Sequence, residues 1–318
     1  MKAAIVTGPN RTPSYGDFRE PAAQAGHELI TVNASALSRA ARSTAAGSHY
    51  SSSGVYPLVV GIDGVGRTQS GRRVYFFRPE PPFGAMAEKA PVPSENCIPV
   101  PDEVGDVTAA AIANPALSSV AALRARAAFR AGETVLVNGA TGTAGRLAVQ
   151  IAKYMGAKKV IATGRDPEAL QKVGSLGADV TINLTLEQKD LEGALGEQFR
   201  DGVDVVLDYL YGKSAEVLLT TAARTSRNSR PIRYVAIGGL AGTEITLPSA
   251  VLRSVPVAIM GSGIGSVPWK DLIDAASYVM QAVVPAGLQI QTAVVPLADV
   301  GKTWNEDTGR SRVVFAVR

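Results

Sequence analysis

The chain carries one cysteine, Cys97, and two histidines, His27 and His49, among 318 residues. One thiol excludes an internal disulfide, and so small a set excludes a zinc site built from cysteine and histidine alone. Long hydrophobic runs are also missing. No stretch approaches the roughly 18 consecutive apolar residues of a membrane span, and the opening MKAAIVTGPN has too short an apolar run for a signal peptide. A soluble, cytoplasmic protein without a metal is therefore expected. Neither sign of charge dominates, since 32 Lys+Arg against 28 Asp+Glu leave a formal charge of +4. The densest basic run, Arg224, Arg227, Arg230 and Arg233, has no interleaved aromatics and precedes an apolar strand. It reads as a solvated helix end and loop, and no nucleic-acid partner is expected.

What is present points to two domains. A chain of this length, 46% hydrophobic, exceeds what one compact domain usually holds, and two domains leave room for a cleft. From residue 134 onward, short apolar runs alternate with helical patterns: TVLVNG, KVIATG, DVTINL, VDVVLDYL, RYVAIGG and PVAIMGSG. Continuous apolar strands separated by helix-length crossovers are what a doubly wound parallel sheet requires, so a six-stranded Rossmann domain is expected. The first 110 residues differ. Their strands, KAAIVTG, HELITVNASAL, GRRVYFF and AMAEKAPVP, are punctuated by Gly, Pro and Ser and suggest an antiparallel, barrel-like domain. After the helical WKDLIDAASYVMQAVV, the tail returns to strands, and Arg312 to Val317 alternates well enough to close back on the N-terminal domain. No internal repeat or low-complexity tract is present.

The most informative segment is VLVNGATGTAGRLAVQIAKYMGAKKVIATGR, Val135 to Arg165. Gly139, Gly142 and Gly145 stand at a strand-to-helix junction, where glycine permits a tight turn and close approach of a pyrophosphate to the backbone. The helix beginning near Thr143 presents unpaired N–H groups and the positive end of its dipole. The candidate phosphate-binding residues are therefore Gly139, Thr141, Gly142, Thr143, Ala144 and Gly145. The second strand ends at Gly164, where an NAD-selective site would place an acidic residue to bind the ribose; here Arg165 follows, and a guanidinium favours a 2′-phosphate. NADPH is the expected cofactor. A shift of one place would instead bring Asp166 to the ribose and admit NADH. Short-chain dehydrogenases open with similar words and use a Tyr-x-x-x-Lys pair. The pairs Tyr154/Lys158 and Tyr209/Lys213 both lie at element ends, and a domain of 110 residues precedes the glycines, which argues against that alternative.

Taken in order, HELITVNASALSRAARSTAAG, PLVVGIDGVG, GRRVYFF, GAMAEKAPVPSENCIPVPDEV, AAAIANPALSSVAAL, the glycine segment, VDVVLDYLYG, RYVAIGG and VVPLADVGKTW give the chain a specific likeness. It resembles the medium-chain dehydrogenase/reductase superfamily, and is most similar to the zinc-independent quinone oxidoreductase branch. The resemblance runs nearly end to end. It implies an α/β two-domain fold with a GroES-like domain from residues 1–112 and 288–318 and a Rossmann domain from 113–287. Zinc-dependent relatives carry a cysteine where this chain has Ser38 and a His-Glu pair where it has Ile62 and Asp63, and the lobe of four cysteines is absent from RPEPPFGAM. Without a Lewis acid, conjugate reduction is easier than reduction of a plain ketone, because charge spreads into an enolate or hydroquinone.

In similar reductases a tyrosine after the SG turn faces the substrate. A gapless count puts His49 there and Tyr50 next to it, so the pair is the candidate for substrate contact, with Ser38 as a further hydrogen-bonding candidate and Tyr56 a weaker one. Asn114 lies where relatives approach the nicotinamide, or it caps the helix that Pro115 begins. The backbone of Ile237, Gly238 and Gly239 resembles the wall of the nicotinamide half, as does GSGIGS at Gly261 to Ser266. Relatives often extend the Rossmann sheet edge to edge, so the resemblance implies a homodimer, with PVAIMGSG as the candidate edge strand. The leading expectation is an NADPH-dependent reductase of quinones or α,β-unsaturated carbonyls. The alternative is a catalytically idle NADPH-binding structural or sensor protein of the same fold.

Overall fold

The computed structural model describes residues 1–50, 52, 54–227, 231–306 and 311–317; Arg230 of the basic run lies outside them. Two compact units result, Met1–Asn114 with Ala276–Arg318, and Pro115–Ala275.

The first unit begins with strands β1 (Lys2–Val6), β2 (Ser14–Asp17) and β3 (His27–Ala36), followed by helix α1 (Arg39–Ala45). Strands β4 (Leu58–Val59), β5 (Asp63–Arg67), β6 (Arg73–Phe77), β7 (Lys89–Pro93) and β8 (Cys97–Pro99) then lead to helix α2 (Asp106–Ala121). The second unit alternates β9 (Thr134–Asn138), α3 (Thr143–Tyr154), β10 (Lys159–Gly164), α4 (Pro167–Ser175), β11 (Val180–Asn183), α5 (Gln188–Asp201), β12 (Val205–Asp208), α6 (Gly212–Thr225), β13 (Ile232–Ala236), α7 (Ser249–Ser254) and β14 (Val257–Gly261). Helix α8 (Trp269–Ala282) follows, then β15 (Thr292–Pro296), α9 (Val300–Thr303) and β16 (Arg312–Ala316).

In the second unit the six apolar runs form one parallel sheet in the order β11-β10-β9-β12-β13-β14. Parallel neighbours need crossovers, and the amphipathic helices supply them. On α6 the buried Ala215, Leu218, Leu219 and Ala222 recur at three and four residues, and they meet Leu136, Val206, Phe199 and Tyr234 in a common core. Each fully buried Leu or Phe there contributes about 1.5–3 kcal/mol. The chain builds outward from β9 through β10 to β11, then returns to the other side of β9 with β12. That reversal opens a crevice at the carboxyl ends of the strands, where open α/β sheets bind ligands.

The first unit holds a mixed sheet, β15-β16-β3-β5-β6-β8, with β7 also on β3, and a smaller sheet β2-β1-β4. The C-terminal strand β16 pairs antiparallel with Ala34–Ala36 and parallel with β15, so the tail closes on the N-terminal strands as its alternation predicts. Its core joins Val6, Leu37, Met86, Trp304 and Phe315. Strands β2 and β5 are not evident in the sequence. SYGD is polar, and DGVGR has glycines at Gly64 and Gly66 because a Cβ there would stand 2.9 and 2.2 Å from the carbonyl oxygens of Ala34 and Thr31.

Helix α2 corrects two expectations. It runs through Asn114 and Pro115, so Asn114 is a half-buried interior residue, not a cap. Ala109 to Ala113 and Ala116 on either side are fully buried, and their packing offsets the hydrogen bond that proline removes. The helix continues as a wider turn through Ala122–Arg126, with the Ala127 N–H donating to the Ala122 carbonyl. Asp106–Arg126 is long and apolar enough to cross a membrane by length and composition, although it holds no 18 apolar residues in a row; two thirds of its 18-residue apolar window is buried inside the protein as a core helix would be.

Candidate active site

The carboxyl ends of β9, β10, β12 and β13 converge on one buried polar system. Strand β9 ends at Asn138, and Gly139 turns the chain with φ of +88°, a region open to glycine at little cost. The Gly139 N–H donates to Thr163 Oγ1 at 3.2 Å and the Ala140 N–H to the Thr163 carbonyl at 2.8 Å, which fastens the loop to β10. Gly142 then caps α3 in extended conformation with no side-chain hydrogen bond. The first-turn amides, from Thr143 to Gly145, have no intrahelical acceptors, so they are available to an anion. Gly145 brings α3 onto the loop, since a Cβ there would lie 2.3 Å from the Gly139 oxygen.

Thr141 turns its side chain toward β10, where a Cβ on Gly164 would collide with its Cγ2 at 2.4 Å. Beyond Gly164, Arg165 is exposed at the strand end. Asp166 serves a different purpose as the N-cap of α4, its Oδ1 accepting from the Ala169 N–H at 3.2 Å, with Pro167 in the first turn. At the end of β13 the Ile237 and Gly238 N–H groups donate to the Asp208 carbonyl at 2.7 and 3.1 Å. A Cβ on Gly238 would meet the Tyr209 oxygen at 2.7 Å, and Gly239 is exposed. Gly261 to Ser266 makes a local turn in which Ser266 Oγ accepts from the Gly263 N–H at 2.9 Å.

Residues that carry no motif of their own bind these loops together. Asp208 Oδ1 accepts from Asn138 Nδ2 at 2.7 Å and from the Leu210 and Tyr211 N–H groups at 2.8 and 3.0 Å. Its Oδ2 accepts from the Tyr234 hydroxyl, and burial together with the Asp208 charge holds that phenol protonated. Asn138 Oδ1 accepts from Thr163 Oγ1 at 2.7 Å. A signal for this set was available: the buried apolar strands β9, β10 and β12 carry a polar residue at or next to their ends, Asn138, Thr163 and Asp208.

Neither Tyr-x-x-x-Lys pair forms a reactive couple. Tyr209 is buried with its hydroxyl 3.3 Å from Ser118 Oγ, whereas Lys213 is an exposed partner of Glu216. Tyr154 ends α3, largely exposed. Arg224 pairs with Glu192 at the solvated end of α6, whereas Arg233 lies part-buried within β13, paired with Glu133 and donating to the Ala127 carbonyl at 2.7 Å, so the helix-end-and-loop expectation is corrected for it.

In the first unit, Ser38 is buried and caps α1, its Oγ accepting from the Ala41 N–H at 2.9 Å. His49 and Tyr50 stack with ring centroids 4.2 Å apart. Partial burial lowers the His49 pKa, which favours the neutral imidazole, while Tyr50 is 71% exposed. Tyr56 donates to the Ala45 carbonyl at 3.0 Å and so fastens the end of α1.

Asp63 is fully buried, accepts from the Tyr75 hydroxyl at 3.2 Å and faces the Arg312 guanidinium. These positions do not fit zinc. Ser38 is engaged as a cap, Asp63 accepts from the Tyr75 hydroxyl under the influence of the Arg312 charge, and burial pushes the Cys97 thiol up to about 12. Among the described residues no three His, Cys, Asp or Glu side chains form a metal-binding group.

Burial raises the Asp63 carboxyl from the ordinary 3.8 to about 6, with Arg312 and Tyr75 opposing the shift. The folded protein therefore holds this proton where the unfolded chain has lost it, and stability falls as pH rises through that window. The unfolding free energy is expected to drop by about 1 kcal/mol between pH 5 and pH 7. Denaturant titration at both pH values against Asp63→Asn, which cannot titrate, checks this; equal slopes in the two proteins would refute it.

Residues 144–278 match the family model described as zinc-binding dehydrogenase. A probable NADPH-dependent quinone reductase of Emericella nidulans is 31% identical over 99% of this chain and 99% of its own length. The quinone oxidoreductase of Rattus norvegicus is 30% identical over 65% of this chain and 64% of its own. Among solved structures, the quinone oxidoreductase of Thermus thermophilus, determined also as its complex with NADPH, superposes with a TM-score of 0.81 and 28% identity over 100% of both chains. With the fold, the glycine turn and a full-length relative in agreement, the chain belongs to the quinone oxidoreductase-like branch of the medium-chain dehydrogenase/reductase superfamily.

Proposed function

We propose that the protein is an NADPH-dependent oxidoreductase that transfers hydride, without zinc, to a quinone or to the activated C=C bond of an α,β-unsaturated carbonyl. The observation that carries this reading is the end of β10. Arg165 is exposed there, and Asp166, the residue that would select NADH, is committed to capping α4.

Bound NADPH supplies the hydride. The amides of Thr143, Ala144 and Gly145 would receive its pyrophosphate, with Gly139, Thr141 and Gly142 shaping the loop, and Arg165 beside Gly164 would pair with its 2′-phosphate. Ile237, Gly238 and Gly239 would wall the nicotinamide half, and Asn114 is the further candidate for contact with it. On the acceptor, negative charge gathers on a carbonyl oxygen as hydride arrives. The neutral His49 imidazole would donate a hydrogen bond to that oxygen, and the Tyr50 hydroxyl a hydrogen bond or a proton, with Ser38 as a further hydrogen-bond donor. The NADPH-dependent relatives support the choice of cofactor, and the lack of a zinc donor set among the described residues supports hydride transfer without the metal.

The exposed edge of β14, which among the described residues pairs only with β13 and presents Ile259, supports a homodimer built by edge pairing. A cytoplasmic setting suits the lone buried thiol. NADPH oxidation followed with a panel of benzoquinones, naphthoquinones and enones tests the function. Turnover with at least one class is expected. Tight NADPH binding without turnover across the panel would favour the catalytically idle reading instead.

A further inference from the structure

We infer that Asp208 is a positioning residue that fixes the phosphate-binding loop and the nicotinamide wall relative to each other. The inference rests on the cofactor reading above and adds to it a residue that touches no ligand. Asp208 is fully buried at the end of β12, next to β9 on one side and β13 on the other.

Its side chain reaches one way. Asn138 Nδ2 donates to Oδ1, Asn138 Oδ1 accepts from Thr163, and Thr163 Oγ1 accepts from the Gly139 N–H, the turn on which a pyrophosphate would lie. Its backbone reaches the other way, where its carbonyl takes the N–H groups of Ile237 and Gly238. The same carboxylate pins the intervening turn through Leu210 and Tyr211, and Tyr211 adopts φ of +57°, a conformation costly for a non-glycine residue that surrounding bonds must hold. Ser214 Oγ accepts the second Asn138 proton at 2.9 Å. Each of these polar arms has its partner, and a satisfied buried network is rigid, so a shift at one loop is carried to the other.

The arrangement gives a test that a merely stabilising role would not pass. NADPH spans both loops, whereas 2′,5′-ADP engages only Arg165 and the glycine turn. In Asp208→Ala, NADPH affinity is expected to fall by about tenfold or more while 2′,5′-ADP affinity stays within about threefold. Asp208→Asn keeps an acceptor for Asn138 and the turn amides and is expected to recover most of the loss. Should Asp208→Ala fail to fold, Asn138→Ala severs the arm toward the glycine turn, together with the bond to Ser214 Oγ, while leaving the Asp208 bonds to the Leu210 and Tyr211 amides, and is expected to give the same split between the two ligands. Equal losses for both ligands, or none for either, would overturn the positioning role. A wild-type protein that binds 2′,5′-ADP but not NADPH would also overturn it, whereas one that binds neither would overturn the cofactor reading on which it rests.

Discussion

Gly145→Ala is expected to destabilise the second unit and to abolish NADPH binding, while Gly142→Ala leaves the fold intact and removes binding alone. In an exposed helix, exchanging glycine for alanine would gain nearly 1 kcal/mol. At Gly145 the added methyl would stand 2.3 Å from the Gly139 oxygen and 2.6 Å from the Ala140 Cα. Those atoms are backbone and are tied to β10 through Thr163, so they cannot step aside singly. Overpacking of this kind costs about 3 kcal/mol, which outweighs the propensity gain. The helix must lift from the loop, and the amides aimed at the pyrophosphate lift with it.

Gly142 is the contrasting case. Its backbone is extended, and the nearest atom to an added Cβ is 3.8 Å away, so the protein tolerates alanine there. If that open face receives a pyrophosphate, the methyl occupies the ligand's space. Thermal unfolding and nicotinamide fluorescence on both variants separate the two effects. A stable Gly145→Ala protein would refute the packing argument, and a Gly142→Ala protein with full affinity would place the phosphates elsewhere.

The second expectation concerns Arg165. Replacing it by alanine is expected to weaken NADPH binding by about 10- to 100-fold, equivalent to about 1.4–3 kcal/mol, the range of a charge-assisted hydrogen bond to phosphate. NADH lacks the 2′-phosphate and should bind both proteins alike. Because Arg165 is exposed, the preference should also shrink as salt is raised. Parallel fluorescence titrations with the two nucleotides read the result directly. An unchanged preference in the variant would make Arg165 a bystander.

Much of the cofactor half was legible in residues adjacent in sequence. Each of the six strands closes within a few residues, and a turn that must reverse direction under a helix leaves a glycine triplet behind. The substrate half was less so. Strand β5, DGVGR, is glycine-rich because other strands cross it closely, a demand visible only once Ala34 and Thr31 are placed beside it. Asn114 followed by Pro115 has the local look of a cap, yet the helix passes through because apolar packing on both sides outweighs one missing hydrogen bond. Asp166 left the choice of nucleotide open as a letter; its engagement with Ala169 gives it a separate role.

By itself the sequence determined the sheet of six parallel strands, the glycine turn, the return of the tail and the family, because each is written in periodicity or in short spacings along the chain. Only the tertiary structure decided that Asp208 joins loops from β9, β10 and β13, and that Asp63, Tyr75 and Arg312 meet in a buried cluster. These partners stand 26 to 70 residues apart around Asp208, and a polar side chain reveals its hydrogen-bonding partner only when packing has removed the water that would otherwise serve any of them equally.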